Sequence, residues 1–271
     1  MLAFPNAKIN LGLNVTGTRP DGFHDIETVM LPVAFCDILE IEASRDGSFD
    51  FMTSGLTIPG NTEDNLCIRA YELFKDEFKI PGVSMNLHKV IPMGSGLGGG
   101  SSDAAYTIRL LNDIFSLSLS PAQMMQYASR LGSDCSFFIK NIPGLASGKG
   151  DQFEAIDIKV AGYSIVIVIP PVHVSTKEAY GLVRTKRPVE SLRTILKTSP
   201  CLWKDHLKND FEDSLSRLHP EIIWIKETLY EEGAIYASMS GSGSSVYGLF
   251  DRPLPDMESF KGCIIWSGKL F

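Results

Sequence analysis

Residues 92–105 read Pro-Met-Gly-Ser-Gly-Leu-Gly-Gly-Gly-Ser-Ser-Asp-Ala-Ala, and five of the seven positions from Gly94 to Gly100 are glycine. Upstream, Val83, Met85 and Leu87 alternate with Ser84, Asn86 and His88, the period of a half-buried strand. Downstream, Ala104, Ala105, Ile108, Leu111 and Phe115 recur at helical spacing, so the glycines join a strand to the start of a helix. Ser101 or Ser102 is expected to cap that helix, with Asp103 in its first turn, where a carboxylate suits the positive end of the dipole. Backbone N–H groups of such a loop and of the first helical turn converge on one spot, which suits a multiply charged anion. Glycine is needed because side chains would block the anion's oxygens and because several turns require positive φ.

Other glycine-rich architectures fit less well. A flexible linker has no reason to be bounded by an alternating strand and an apolar helix. Gly94, Gly96 and Gly99 satisfy the dinucleotide pattern G-x-G-x-x-G. The acid expected about 20 residues on, after a second strand, is not found. Asp113 falls inside the helix and the next acid is Asp134. No Lys-Ser or Lys-Thr pair follows the glycines, and the His-Arg-Asp and Asp-Phe-Gly signatures of protein kinases are missing. A nucleotide cradle of another architecture remains.

Bulk properties narrow the partners. The chain has 271 residues and a net charge of -7, with both signs interspersed, which disfavours nucleic acid or an anionic membrane. An anionic ligand must therefore be held by local geometry. The five cysteines, Cys36, Cys67, Cys135, Cys201 and Cys263, contain no C-x-x-C pair, so a reducing compartment and core or near-core positions are expected. The first ten residues lack a basic segment followed by an apolar one, and no apolar run reaches membrane-spanning length. A soluble, cytoplasmic protein, monomeric or weakly dimeric, is the expectation.

Along the chain, Ile9, Leu11, Leu13 and Val15 alternate with Lys8, Asn10, Gly12 and Asn14, an opening strand with Lys8 and Asn10 on one face. Gly17, Pro20 and Asp21-Gly22 supply a turn before a returning strand that carries His24, Ile26, Thr28 and Met30. Leu39 to Ala43 and Phe49 to Phe51 suggest two more strands. Asn61 to Asp64 opens a helix with Leu66, Ala70, Leu73, Phe74 and Phe78 as its stripe, stopped by Pro81-Gly82. Ser120-Pro121 starts a further helix that Gly132 ends, and Asp134 follows as either a cap for the next turn or a functional carboxylate. The uninterrupted run Tyr163 to Ile169 reads as a strand covered on both faces. Helices are expected over 176–183, 189–197, 207–218 and 221–232, and strands over 234–239, 246–250 and 263–266, with a glycine turn at Ser240 to Ser245. A slight composition shift divides the chain into residues 1–158 and 159–271.

Three motifs in order, Pro5-Asn6-Ala7-Lys8-Ile9-Asn10-Leu11, the loop Pro92 to Ala105, and Ser238-Met239-Ser240-Gly241-Ser242-Gly243-Ser244-Ser245, resemble the small-molecule kinases named for galactokinase, homoserine kinase, mevalonate kinase and phosphomevalonate kinase. Four further details point to the branch whose substrate is CDP-methylerythritol. They are Gly17 to His24, the triple glycine Gly98-Gly99-Gly100, Leu131 to Phe138, and Asn209-Asp210-Phe211-Glu212. The resemblance implies an α+β fold of two domains, the N-terminal one like the second domain of ribosomal protein S5 and the C-terminal one ferredoxin-like. The first would bind ATP and the second would lie on the substrate side.

By the same resemblance Lys8 and Asp134 form the reacting pair. ATP would rest on Pro92, Met93, Gly94, Ser95, Gly96, Leu97, Gly98, Gly99, Gly100, Ser101 and Ser102, with Asn65 near adenine or serving only as a cap. Asn10, Phe23, His24 and Tyr180 would bind the cytidine substrate, His24 reading the cytosine and the two aromatics sandwiching it. Gly241, Ser242 and Gly243 of the third motif would close over the phosphates, or else form only a tight hairpin. Mg²⁺ is implied with ATP, and Ser101, Ser102 and Asp134 are all candidates to touch it. Phe23 stands where the family commonly has tyrosine, Ser136 where proline is frequent, and Lys149 and Asp151 where arginine and glutamate are more usual. Another small-alcohol kinase of this family, or a silent nucleotide-binding relative, is the alternative.

Overall fold

The computed structural model describes residues 1–270 and mixes helices and strands as an α+β protein. Strands β1 (Leu2–Ala3), β2 (Asn6–Thr18), β3 (His24–Cys36), β4 (Ile38–Ala43) and β5 (Asp50–Gly55) precede helix α1 (Leu66–Phe78). Strand β6 (Val83–Lys89) leads through the glycine loop into α2 (Gly99–Ile114), α3 (Pro121–Ser129), α4 (Cys135–Lys140) and the pair β7 (Gly144–Ser147) and β8 (Gln152–Ala155). Then come β9 (Ser164–Ile169), α5 (Thr176–Leu182), α6 (Leu192–Ile195), α7 (Glu212–Leu215), α8 (Pro220–Glu231), β10 (Tyr236–Met239), β11 (Val246–Phe250) and β12 (Ile264–Lys269). Among the described residues no helix is long and apolar enough to cross a membrane.

The chain forms two compact units, one made of Met1–Ala7, Cys36–Met93 and Gly98–Ile142, the other of Lys8–Phe35, Gly94–Leu97 and the described residues from Pro143 on. In the first, strands run in the order β1-β4-β6-β5, with β6 antiparallel to β4 and parallel to β5. Alternation in β6 puts Val83, Met85 and Leu87 inward, as the sequence pattern requires. Helix α1 buries Cys67, Ala70, Tyr71 and Phe74 beside α2 and is capped by Asn65, whose side chain accepts the Cys67 N–H at 2.9 Å. It ends at Phe78 because Lys79 turns left-handed (φ 54°), two residues before the proline.

In the second unit the sheets are β2-β3-β7-β8 and the antiparallel β10-β11-β9-β12. Every residue of β9 is buried, which accounts for its lack of alternation. Val166, Val168, Ile225, Leu229, Val246 and Phe250 belong to one core cluster beneath α8.

Several expectations are corrected. Helix α2 starts at Gly99 behind a left-handed Gly98 with no side-chain cap, so Ser101 and Ser102 lie inside the first turn rather than capping it. Asp103 lies deeper still, and its carboxylate pairs with Lys89 instead of serving the dipole. The stretch 207–218 is helical only over Glu212–Leu215, because Asn209 pairs in parallel with Leu13 of β2 and the strand edge takes its backbone groups. The helix expected over 189–197 is only Leu192–Ile195. Cys201 is exposed, not core.

Beneath α2, Lys89 is fully buried between two carboxylates, 2.5 Å from Asp37 and 2.9 Å from Asp103. Asp37 also accepts the backbone N–H groups of Val90 and Ile91 at 2.6 and 2.8 Å, so the cluster fixes the exit of β6 and the body of α2 together. Lys89→Met should destabilise the chain by about 3–5 kcal/mol in urea unfolding, because it strands two buried carboxylates. Burial raises the Asp103 carboxyl to about 7, with Lys89 opposing and Asp37 adding to the shift. Unfolded, an aspartate titrates near about 4, so the folded chain holds this proton more tightly and loses stability from this group as pH rises between the two values. Asp103→Asn should flatten that part of the stability-versus-pH curve.

Candidate functional site

Lys8 and Asn10 sit two residues apart on β2 and so share a face. Lys8 is only 3% exposed, and an ammonium at such depth is costly unless its donors are satisfied. Its Nζ donates to Asn10 Oδ1 at 2.5 Å and to the Gly96 carbonyl at 2.9 Å, while its backbone N–H donates to the Leu97 carbonyl at 2.9 Å. Asn10 in turn donates to Thr28 Oγ1 at 3.0 Å, and Tyr247 Oη donates to the Asn10 carbonyl at 2.8 Å. The asparagine expected to meet substrate is thus also the group that fixes the lysine.

The third motif closes on the same place. Ser240 Oγ donates to the Gly96 carbonyl at 3.0 Å and to Asn10 Oδ1 at 3.4 Å. Ser245 donates to the Ser95 carbonyl through its N–H at 3.1 Å and through its hydroxyl. The turn is closed internally by Ser240 N–H to Ser245 O at 2.9 Å and Gly243 N–H to Ser240 O at 3.0 Å. Gly96 is left-handed (φ 80°), and a Cβ there would fall 2.0 Å from the Ser240 carbonyl oxygen. Gly241 (φ 56°) is less crowded but still tight, since a Cβ would lie 3.1 Å from the Gly96 carbonyl oxygen and 3.3 Å from Lys8 Nζ. Two glycine-bearing segments separated by more than half the chain therefore meet around one buried cation.

Ser242 Oγ lies 3.4 Å from Thr176 Oγ1, and Ser244 Oγ donates to the Val172 carbonyl at 2.8 Å, so the segment entering α5 is tied to the turn. From that segment the His173 ring lies against Gly94, where an added Cβ would stand 2.5 Å from Cε1. Nothing in the spacing of the sequence singles His173 out.

His24 opens β3, and its ring stacks on Tyr180 with centroids 4.9 Å apart and planes at 29°. Phe211 meets Tyr180 edge-on, with centroids 4.9 Å apart. Phe23 is 59% exposed, with Lys149 Nζ 4.9 Å from its ring centre. Of the expected aromatic set the structure thus joins His24 to Tyr180 and sets Phe23 against Lys149.

In the other unit, the first three N–H groups of α2, on Gly99, Gly100 and Ser101, precede the first helical bond, which runs from Ser102 N–H to the Gly98 carbonyl at 2.9 Å. Pro92 and Met93 precede this helix, and Met93 Cε would sit 3.2 Å from a Cβ on Gly100. Asp134 occupies the N-cap position of α4, yet its side chain makes no capping hydrogen bond, so of the two roles open to it the cap is not the one it plays. Burial pushes the neighbouring Cys135 thiol up to about 12, which leaves it inert as a nucleophile at neutral pH. Ser136, where proline is frequent in the resembling family, donates to the Met125 carbonyl at 3.0 Å and anchors the turn by another means.

Among the described residues no group of three or more His, Cys, Asp or Glu is placed to hold a metal ion. Ser102 Oγ is buried without a hydrogen-bond partner. That donor set fits a hard cation that brings most of its ligands as phosphate oxygens and water, not a metal caged by protein.

Residues 65–151 match the family model described as GHMP kinases N terminal domain, and residues 189–256 match GHMP kinases C terminal. The 4-diphosphocytidyl-2-C-methyl-D-erythritol kinases of Parabacteroides distasonis and Bacteroides thetaiotaomicron are 46% and 48% identical, each over 100% of both chains. A crystal structure of 4-(cytidine 5'-diphospho)-2C-methyl-D-erythritol kinase superposes with a TM-score of 0.85 at 29% identity, covering 100% of this chain and 99% of that one.

The approach of Gly96 to Ser240 can be separated from backbone conformation alone. Gly22 is also left-handed (φ 82°) but has nothing within 4 Å of a Cβ. Gly22→Ala should cost roughly 1–2 kcal/mol, the ordinary penalty of that conformation. Gly96→Ala should cost clearly more in the same urea titration, because the Ser240 carbonyl must also move.

Proposed function

The chain belongs to the GHMP kinase family, and from that premise we propose that it moves the γ-phosphoryl group of ATP onto the 2-hydroxyl of 4-diphosphocytidyl-2-C-methyl-D-erythritol. It is a phosphotransferase acting on an alcohol, in isoprenoid biosynthesis. The observation that carries the reading is the buried Lys8 ammonium, held where the glycine loop and the third glycine turn meet. Phosphoryl transfer asks chiefly for in-line positioning and for charge to offset the phosphate oxygens, and a fixed cation beside bare backbone supplies both.

In this reading the backbone of Gly94 to Ser102 cradles the ATP phosphates. Lys8 stabilises charge on the transferring group, and Gly241, Ser242 and Gly243 line the phosphates from the third motif. Asp134 accepts the proton of the substrate hydroxyl as that oxygen forms its bond to phosphorus; the bond from phosphorus to the ADP oxygen breaks, and ADP leaves with the electron pair. Asn10 orients the methylerythritol hydroxyls while holding Lys8. His24 and Tyr180 receive the cytosine, a stacking surface of this kind contributing about 1–3 kcal/mol per base, and Phe23 flanks it. Asn65 stands near adenine in addition to capping α1.

A magnesium ion would fit as a companion of the nucleotide, with Ser101, Ser102 and Asp134 as the side chains that would touch it, Ser102 Oγ being buried without a hydrogen-bond partner. When bound it supplies neutralisation of the phosphate oxygens. The division into an ATP-binding part, 1–158, and a substrate-side part, 159–271, belongs to the same proposal. The two family matches, 65–151 and 189–256, fall on either side of that boundary.

Incubation with γ-labelled ATP and each alcohol tests the assignment. Label should pass to the cytidine substrate and not to mevalonate or homoserine; preference for either of the latter overturns it. Asp134→Asn should lower kcat by roughly 10²–10⁴-fold with the fold intact by circular dichroism, and an unchanged kcat would remove Asp134 from the chemistry.

A further inference from the structure

The stretch Asn209-Asp210-Phe211-Glu212 is so far without a role, yet its first side chain touches the third glycine turn directly. Asn209 is 3% exposed, and its Nδ2 donates to the Met239 carbonyl at 2.9 Å and to the Gly241 carbonyl at 2.8 Å. Its Oδ1 accepts the Phe211 N–H at 3.0 Å, so the amide is used at both ends. The two carbonyls it grips lie at the end of β10 and inside the turn.

The backbone of the same residue is fastened to the strand that carries Lys8. Asn209 pairs in parallel with Leu13, flanked by Leu13 N–H to Lys208 O and Asp210 N–H to Leu13 O, both at 2.9 Å. Asp210 Oδ2 adds a bond from the Val15 N–H at 2.8 Å. Glu212, also buried, accepts the Met239 N–H at 2.7 Å and Ser238 Oγ at 2.9 Å, with Lys226 2.6 Å from its other oxygen. Asp210 and Glu212 thus hold the corner to β2 and β10, while Asn209 alone among the three reaches the turn at Gly241. Gly241 in turn stands beside Lys8 Nζ and Asn10 Oδ1, at 3.3 and 3.4 Å from its would-be Cβ.

We infer that Asn209 is a positioning residue for phosphoryl transfer, an amide bracket that sets the third glycine turn against the Lys8 strand. The inference rests on the proposed role of that turn in binding phosphates. Asn209 touches no reacting atom; it acts through the Gly241 carbonyl. Only an amide does both jobs, because two donors must face two carbonyls while an acceptor faces the Phe211 N–H. Aspartate keeps the shape and the acceptor, removes the donors and sets a negative charge against two carbonyl oxygens.

Steady-state kinetics with ATP and the cytidine substrate, on Asn209→Asp, Asn209→Ala, Gly241→Ala and Leu229→Ala, tests this. Leu229 is a core residue of α8 and serves as the control for lost stability. Both Asn209 variants should lower kcat on the order of 10²-fold, the scale set by small misplacement of reacting groups, with KM for the cytidine substrate unchanged. Leu229→Ala should lower the melting temperature and leave kcat as it was.

Wild-type kcat in folded Asn209 variants, while Gly241→Ala is impaired, overturns the bracket. A kcat loss that Leu229→Ala reproduces overturns it as well. Should Asn209→Ala fail to fold, Asn209→Asp decides, and failure of both beside a folded Leu229→Ala assigns Asn209 to folding alone. No turnover by the wild type, or full activity in Gly241→Ala, instead sinks the underlying reading of the turn.

Discussion

A single ammonium group, that of Lys8, organises the second unit's functional end. At 3% exposure it cannot rely on water, and Asn10 Oδ1 and the Gly96 carbonyl accept from it. Each of those acceptors is shared with Ser240 of the third motif. The cation therefore draws residues near positions 8, 96 and 240 to one point, and the tight turns at Gly96 and Gly241 follow from the closeness of that meeting. The amide and carbonyl oxygens of Asn10 and Gly96 fix this positive charge where the two glycine turns meet, a placement suited to an incoming anion.

The rest of the unit can be understood as support for that arrangement. Thr28 from the neighbouring strand β3 and Tyr247 from β11 of the other sheet fix Asn10, and Asn209 holds the Gly241 carbonyl of the turn. The chain is acidic overall, at -7, so attraction of a nucleotide depends on this local geometry and not on net charge. In the other unit the buried cluster of Lys89, Asp37 and Asp103 does comparable work for α2, anchoring the helix whose first N–H groups follow the glycine loop.

Much of this was legible in the sequence, and the reasons differ by residue. The period-two pattern of β2 put Lys8 and Asn10 on one face, and the glycine run correctly joined a strand to a helix, because both signals are local. The cap of α2 was misplaced, since nothing local distinguishes Ser101 from a cap when a left-handed glycine starts the helix instead. Residues 207–211 carry an apolar pattern that suits a helix, but the open edge of β2 captures their backbone, a competition only the tertiary fold can settle. The contacts of Gly96 with Ser240 and of His24 with Tyr180 join positions more than 140 residues apart, and spacing has no means to register them. Interleaving of the two units, with residues 94–97 grouped apart from the helix they lead into, is invisible for the same reason.

The claim that matters most is that the Lys8 charge serves the transferring phosphoryl group and is not merely a buried strut. Single-turnover transfer from γ-labelled ATP by Lys8→Met, with nucleotide affinity measured in parallel by calorimetry, addresses it directly. The account predicts a folded protein that still binds ATP but transfers label at least about 10²-fold more slowly, as expected when a fixed electrostatic contact to a transition state is lost. Transfer at the wild-type rate by the folded variant would contradict it.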